Sequence, residues 1–279
     1  MHGVRIVADT ASDIPADMAA EHGIELVPLT VRFGTEELVD RRDLSAAEFW
    51  SRLANSSVLP ETAAPSPGAF EEVYRRAAAD GAEGVVCVTI SSALSATYEA
   101  ARLAAEAVAD TVAVRVVDSR AVSMAEGTVA LAAAELAAAG KGLDDVTAGA
   151  EAMVPRTRTF AALDTLDNLR KGGRIGAAQA LLGSMLSIKP IIQVTGGKVE
   201  AESKQRTRSR SLRYLADKVR EAGAVEHLTV LHGGAPDIDV LVDMLADVCP
   251  RDTIVVADVG AVIGTHAGPR VIGVTFAVP

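Results

Sequence analysis

Hydroxyl side chains cluster over residues 89–97, where an apolar strand pattern changes to an alanine-rich helix pattern. Residues 84–90 predict a buried strand, and the helix pattern starts at Ser95. A serine at such a junction can cap the helix, and the free backbone N–H groups at a helix N-terminus favour an anion. The loop has neither a lysine nor a Walker-type glycine pattern, which disfavours a nucleoside triphosphate. We expect Ser95, with Ser92 as a further candidate, to hold a single carboxylate or a small phosphate.

Two other residues have side chains that could hold such an anion. Thr62 lies in residues 55–67, where three prolines predict extended backbone. His266 lies in residues 264–269, whose two glycines and one proline predict a loop. Both residues are therefore candidates for binding rather than for the core.

Familiar catalytic signatures are missing from the sequence. It contains no G-x-S-x-G elbow, no G-x-x-x-x-G-K-[ST], no G-x-G-x-x-G and no H-E-x-x-H. The five histidines are scattered, and no spacing of Cys, His and Asp suggests a metal site. An enzyme with a self-contained active centre is disfavoured, and we expect neither a cofactor nor a metal.

Charge is unevenly distributed along the chain. The net charge of −10 disfavours general nucleic-acid binding. Residues 156–220 nevertheless carry 14 Lys and Arg against 5 Asp and Glu. Such a surplus favours docking of an acidic partner or a phosphate. Arg170, Arg174 and Arg206 are the candidates for this surface.

The sequence gives no sign of export or of membrane insertion. Residues 4–8 predict a strand close to the first residue, so we expect no signal peptide. No uncharged apolar run reaches the roughly 18 residues of a membrane-spanning helix. Cys87 and Cys249 offer no disulfide framework. We therefore expect a cytoplasmic protein.

Alternating strand and helix patterns predict an α/β protein of two domains. Residues 1–154 predict a three-layer domain with a mainly parallel sheet, because short connections join alternating strands and helices. Residues 155–279 predict a second α/β or α+β domain, with a β-hairpin turn at residues 195–197. Further expected segments are a strand over residues 25–33, a helix over residues 175–182 and a strand over residues 187–194.

Six segments, in order along the chain, carry a resemblance to one family. They are DTASDIP (9–15), TAAPSP (62–67), SSALSATY (91–98), LDNLRKGGRI (166–175), IKPI (188–191) and HAGP (266–269). In order and spacing they resemble the DegV family of bacterial fatty-acid-binding proteins, over residues 4–278. The chain departs from the family pattern at Ala63, where serine is usual, and at Ala93 and Ala96, where glycine is usual.

The resemblance implies that one long-chain fatty acid is held between the two domains. It further implies a partner, a separate dihydroxyacetone-kinase-like fatty acid kinase, which would convert the presented carboxylate to an acyl phosphate. Carried over by position, Thr62 and Ser95 would hydrogen-bond the carboxylate, and His266 would lie close to it. Arg174 and Arg170 would face the kinase. The chain itself would be a carrier and not an enzyme.

Two other functions remain open from the residues alone. One is a phosphotransferase or hydrolase of a small phosphorylated metabolite, which would use Ser95 or His266 with Arg174 on the phosphate. The other is a DNA-associated regulator that uses residues 156–220. The net charge and the lack of a helix-turn-helix pattern disfavour the second.

Overall fold

A computed structural model describes residues 3–181 and 188–279 of the chain. The strands are β1 Gly3–Asp9, β2 Ile24–Val27, β3 Thr30–Phe33, β4 Glu36–Val39, β5 Glu61–Ala63, β6 Ala82–Thr89, β7 Val114–Asp118, β8 Thr157–Ala162, β9 Lys189–Thr195, β10 Lys198–Gln205, β11 Glu226–His232, β12 Val255–Asp258 and β13 Ile272–Ala277. The α-helices are α1 Ala16–Glu21, α2 Ala46–Asn55, α3 Pro67–Ala79, α4 Thr97–Ala107, α5 Met124–Ala138, α6 Leu143–Met153, α7 Asp167–Lys171, α8 Arg208–Glu221, α9 Ile238–Leu245 and α10 Ala261–Ala267. Within the described ranges, no helix is long and apolar enough to cross a membrane.

The first sheet confirms the expected three-layer arrangement of the N-terminal half. Its strand order is β2-β1-β6-β7, and every pairing is parallel. Successive side chains of β1 point to opposite faces, so Ile6 packs on one side and Val7 on the other. Helices α3 and α4 cover the face of Val7, while α5 and α6 cover the face of Ile6.

The second sheet carries the C-terminal half and has mixed topology. Its order is β10-β9-β8-β13-β11-β12, with β11 and β12 parallel and the other pairs antiparallel. Helices α8 and α9 cover one face. Helix α5 packs between this sheet and the first, which explains why residues 124–134 are buried on every side of the helix.

The expected strand over residues 25–33 is wrong, because the structure divides it into two strands of different sheets. β2 ends at Val27 and lies at the edge of the parallel sheet, whereas β3 pairs with β4 and β5 in a third, antiparallel sheet. Pro28 lies between them and has no N–H for a sheet ladder, so the chain can change sheets there. The third sheet was not predicted, and it includes β5 from the proline-rich segment.

Three other predictions concern the C-terminal half: the hairpin turn, the helix over residues 175–182 and the strand over residues 187–194. The hairpin turn is confirmed, since Thr195 pairs with Lys198 across Gly196 and Gly197, both at positive φ. The expected helix over residues 175–182 is a 3₁₀ helix, Gly176–Leu181. The end of that helix at Leu182, the strand start at residue 187 and residues 1–2 lie outside the described residues.

The expected loop around His266 is also wrong, because this residue lies in the last turn of α10. Gly264 is helical here for a packing reason. A Cβ on Gly264 would lie 2.6 Å from the Phe49 ring and 2.8 Å from the Trp50 ring of α2. The glycine therefore permits close approach of the two helices and does not break α10.

Candidate functional site

A mostly apolar cavity is lined by β5 of the third sheet, by β9 and β10 of the second sheet and by the loops that follow β6 and β7. Its polar lining residues are Thr62, Ser95, Arg174 and His266. The other lining residues are Leu29, Ala64, Ile90, Leu94, Ala96, Val122, Leu169, Ile192, Val194, Val199, Val262, Ile263 and Ala267. The structure thus brings four of the seven predicted site residues to one cavity.

Thr62 and His266 are in direct contact at this cavity. Thr62 lies in β5, paired with Val31 of β3, and its Oγ1 is 2.9 Å from Nε2 of His266. Nδ1 of His266 faces the backbone of Gly172, where an added Cβ would approach it to 2.4 Å. The imidazole is therefore fixed between β5 and the turn that follows α7.

The His266 ring is neutral at physiological pH. Burial is the main cause, and the nearby Arg174 charge adds to it, so that the pKa falls from 6.5 to about 4. Nδ1 is buried and has no hydrogen-bond partner among the described residues. A buried N–H without a partner is rarer than an unpaired acceptor, which assigns the proton to Nε2. His266 then donates to Thr62, and the Thr62 hydroxyl proton is free to point to a ligand.

Ser95 lines the cavity from the loop that joins β6 to α4. Its Oγ accepts a hydrogen bond from the Thr97 N–H at 3.3 Å and lies 2.8 Å from Thr97 Oγ1. Ala96 directly precedes the helix and makes no side-chain cap. Because Ser95 and Ala96 both line the cavity, the N-terminal turn of α4 lies at the same place.

Two buried carboxylates hold the backbone that carries these residues. Asp9, at the end of β1, accepts hydrogen bonds from the N–H groups of Ala11 and Ile90, at 2.9 and 2.8 Å. Asp13 accepts one from the N–H of Gly260, at 2.9 Å, directly before α10. Burial raises the pKa of Asp9 to about 6 and that of Asp13 to about 7, although these hydrogen bonds act in the opposite direction.

Arg174 lies at the edge of the cavity in the turn after α7. Its Nε donates to the carbonyl oxygen of Leu94 at 3.1 Å, and Nη1 donates to that of Gly172 at 2.8 Å. Arg170 is exposed on α7 and forms an ion pair with Asp167. Neither Arg170 nor Arg206, which is exposed between β10 and α8, lines the cavity.

Ser92 lies outside the cavity. Its Oγ donates to Asp118 at 2.5 Å, and its N–H donates to the same carboxylate at 3.1 Å. Asp118 ends β7, so this serine joins two strand-end loops of the parallel sheet. The structure therefore does not bring Ser92 to the other candidate residues.

Sequence reasoning missed the residues that form the apolar wall. Leu29, Val122 and Val262 come from three distant segments and belong to patterns that equally predict an ordinary core. Gly172, which packs against His266, could have been noticed only as one of two adjacent glycines. Within residues 3–181 and 188–279, no group of three or more His, Cys, Asp and Glu side chains could hold a metal ion.

The sequence matches one family over nearly its whole length. The model for the family described as "Uncharacterised protein, DegV family" covers residues 3–278. A DegV domain-containing protein of Streptomyces coelicolor is 42% identical over 275 residues, which are 97% of each chain. Another, from Mycobacterium tuberculosis, is 37% identical over 278 residues, 97% of this chain and 96% of the relative. The chain therefore belongs to the DegV family.

Solved structures of the family have the same fold. A DegV family protein from Thermus thermophilus, described by its fatty acid binding, has a TM-score of 0.90 at 32% identity and covers 99% of this chain and 100% of its own. DegV of Bacillus subtilis, described as a fatty acid binding protein, has a TM-score of 0.87 at 27% identity, with 99% of each chain covered. Both relatives are thus fatty-acid-binding members with the α/β architecture described above.

Proposed function

We propose that this protein binds one long-chain fatty acid, such as palmitate, in the cavity between its two halves. The observation that carries the proposal is an apolar cavity with two hydroxyls and a neutral imidazole among its few polar groups. The fatty acid binding of the relatives from Thermus thermophilus and Bacillus subtilis supports it. We take residues 1–154 and 155–279 as the two domains that enclose the ligand.

In this proposal, the carboxylate accepts hydrogen bonds from Thr62 and Ser95. With the proton of His266 assigned to Nε2, the ring donates to Thr62, and the Thr62 hydroxyl can donate onward to the carboxylate. Ser95 and the N-terminal turn of α4 supply further donors without a full opposite charge.

The acyl tail supplies most of the binding free energy. Burial contributes about 0.8 kcal/mol for each CH₂ group, so some 14 methylenes set an upper bound on the order of 11 kcal/mol. The cavity wall of Leu, Ile and Val side chains provides the apolar environment for this burial. Ordering of the tail and loss of its free motion reduce that bound substantially.

We further propose that the protein is a carrier for a separate fatty acid kinase of the dihydroxyacetone-kinase type. Neutral hydroxyl donors leave a carboxylate oxygen available as nucleophile, whereas a bidentate arginine would hold both oxygens. The exposed Arg170 and Arg206, together with Arg174, would then face an acidic or phosphate-bearing partner. The carrier itself would contribute no catalytic group.

Lipid analysis of the purified protein tests the binding proposal directly. Solvent extraction followed by mass spectrometry should recover saturated or monounsaturated fatty acids at close to one per chain. Lipid-free protein that also shows no affinity for added palmitate would overturn the proposal.

A double variant of Ser95 and Thr62, compared with a Ser92 variant, tests which residues bind the carboxylate. S95A combined with T62V should weaken palmitate binding about tenfold or more, because two hydrogen bonds to a charged group are lost. S92A is the matched control, because that hydroxyl bonds Asp118 outside the cavity. Equal affinities for the double variant and for S92A would refute the assignment.

A further inference from the structure

Arg174 connects the loop that carries Ser95 to the turn that packs against His266. One hydrogen bond reaches the carbonyl oxygen of Leu94, the residue before Ser95. The other reaches the carbonyl oxygen of Gly172, whose Cα packs against Nδ1 of His266. A single guanidinium therefore joins the loop after β6 to the turn after α7.

The charge of Arg174 has no carboxylate partner in the part of the chain that the structure describes. The neighbouring Arg170, on the same short helix, is paired with Asp167. Both hydrogen bonds of Arg174 go to backbone carbonyl oxygens instead. The positive charge at the cavity edge is thus left uncompensated, and it lies close enough to His266 to disfavour protonation of the ring.

We propose that Arg174 is a positioning residue of the carboxylate site, which clamps the Ser95 loop against the turn that backs His266. This role rests on the proposed function, and it differs from docking a kinase. Arginine suits the role because its planar fork donates in two fixed directions, whereas a lysine ammonium is a point charge on a flexible stem. The clamp fixes the separation between Ser95 and the Thr62–His266 pair before any ligand arrives.

Two variants separate the geometry of Arg174 from its charge. R174Q removes the charge and the bidentate fork, and R174K keeps the charge but removes the fork. K171A is the matched control, because Lys171 is an exposed cation on the same helix. Since Arg174 is itself exposed, we expect all three variants to fold.

The first measurements use the lipid-free protein, so they do not depend on the proposed function. Hydrogen exchange at the Ser95 N–H, which donates to Ser91 at 3.1 Å, should be faster in R174Q and R174K than in the wild type. An NMR titration should show a raised His266 pKa in R174Q and little change in R174K. K171A should match the wild type in both measurements.

Palmitate affinity then completes the test. We expect R174Q to bind palmitate about tenfold more weakly, because it loses two charge-assisted hydrogen bonds that order the site. If the Ser95 N–H exchange rate and the His266 pKa of R174Q equal those of the wild type, the clamp is overturned. A faster exchange rate in R174Q with unchanged palmitate affinity would also overturn it. If the wild type binds no palmitate, the proposed function fails, while the lipid-free measurements still decide whether the clamp exists.

Discussion

Thr62 and His266 are 204 positions apart in the sequence, yet Oγ1 of the first lies 2.9 Å from Nε2 of the second. The contact joins a short strand of the third sheet to the last turn of α10. Because the imidazole is neutral, it orients the Thr62 hydroxyl without adding a charge. Thr62 and His266 thus form a neutral polar pair in a mostly apolar cavity.

The neutral state of His266 has a consequence for stability against acid. The folded pKa of about 4 lies below the ordinary 6.5, so the unfolded chain takes up this proton first as the pH falls. His266 therefore does not change the free energy of unfolding above pH 6.5, and below about pH 4 it lowers that free energy by about 3 kcal/mol. H266Q removes this cost, so between pH 7.5 and pH 4 the wild type should lose about 3 kcal/mol more stability than the variant. Urea unfolding at both pH values measures the difference, and equal losses would contradict the assignment.

Glu126 should make the stability of the fold depend on pH in the opposite direction from His266. It is fully buried in α5, and burial with repulsion from Asp9 and Asp13 raises its pKa well above 4.5. The folded protein keeps this proton as the pH rises, while the unfolded chain releases it near pH 4.5, so stability falls with rising pH. E126Q is neutral throughout and should be more stable than the wild type at pH 8, with a smaller gain at pH 5. Chemical denaturation at the two pH values tests this, and a gain that does not depend on pH would refute it.

Gly264 and Gly68 are two helical glycines with different surroundings. A Cβ at Gly264 would overlap the Phe49 and Trp50 rings, so G264A should destabilise the protein by about 1–3 kcal/mol. It should also weaken fatty acid binding, because α10 carries His266. G68A is the matched control: its nearest neighbour is Ser66 Oγ, 3.8 Å away, so stability should be unchanged or rise by up to about 1 kcal/mol. Thermal unfolding of both variants would show the contrast, and similar shifts would mean that α10 can move away from α2.

The parallel sheet of the N-terminal half was predictable from sequence because its signals are local. The change from a strand pattern to a helix pattern near Ser95 marks a strand–loop–helix junction, and parallel strands place such junctions at one edge of the sheet. The residues Ser45-Ala46-Ala47-Glu48 likewise form a capping-box pattern at the start of α2, where the Ser45 Oγ accepts from the Glu48 N–H at 3.2 Å. Both features depend on neighbours only a few residues away.

Errors in prediction occurred where tertiary contacts override local preference. Residues 25–33 have the pattern of one strand, but which sheet each half joins depends on partners at β1 and at β5. The glycine in α10 indicates a loop by local rules, yet it is required by the rings of α2. Ser92 and Ser95 are of the same type and lie three positions apart, yet Ser92 bonds Asp118 while Ser95 lines the cavity.

The sequence by itself determined the family, the α/β class and the presence of hydroxyl groups at a helix start, because these follow from local patterns and from the order of six segments. Only the tertiary structure decided which hydroxyls reach the cavity, that His266 is neutral and that Arg174 bonds to two loops. Those properties depend on burial and on distances of about 3 Å between segments far apart in the chain. No periodicity or spacing along a sequence encodes such distances, because they are set by how the sheets and helices pack.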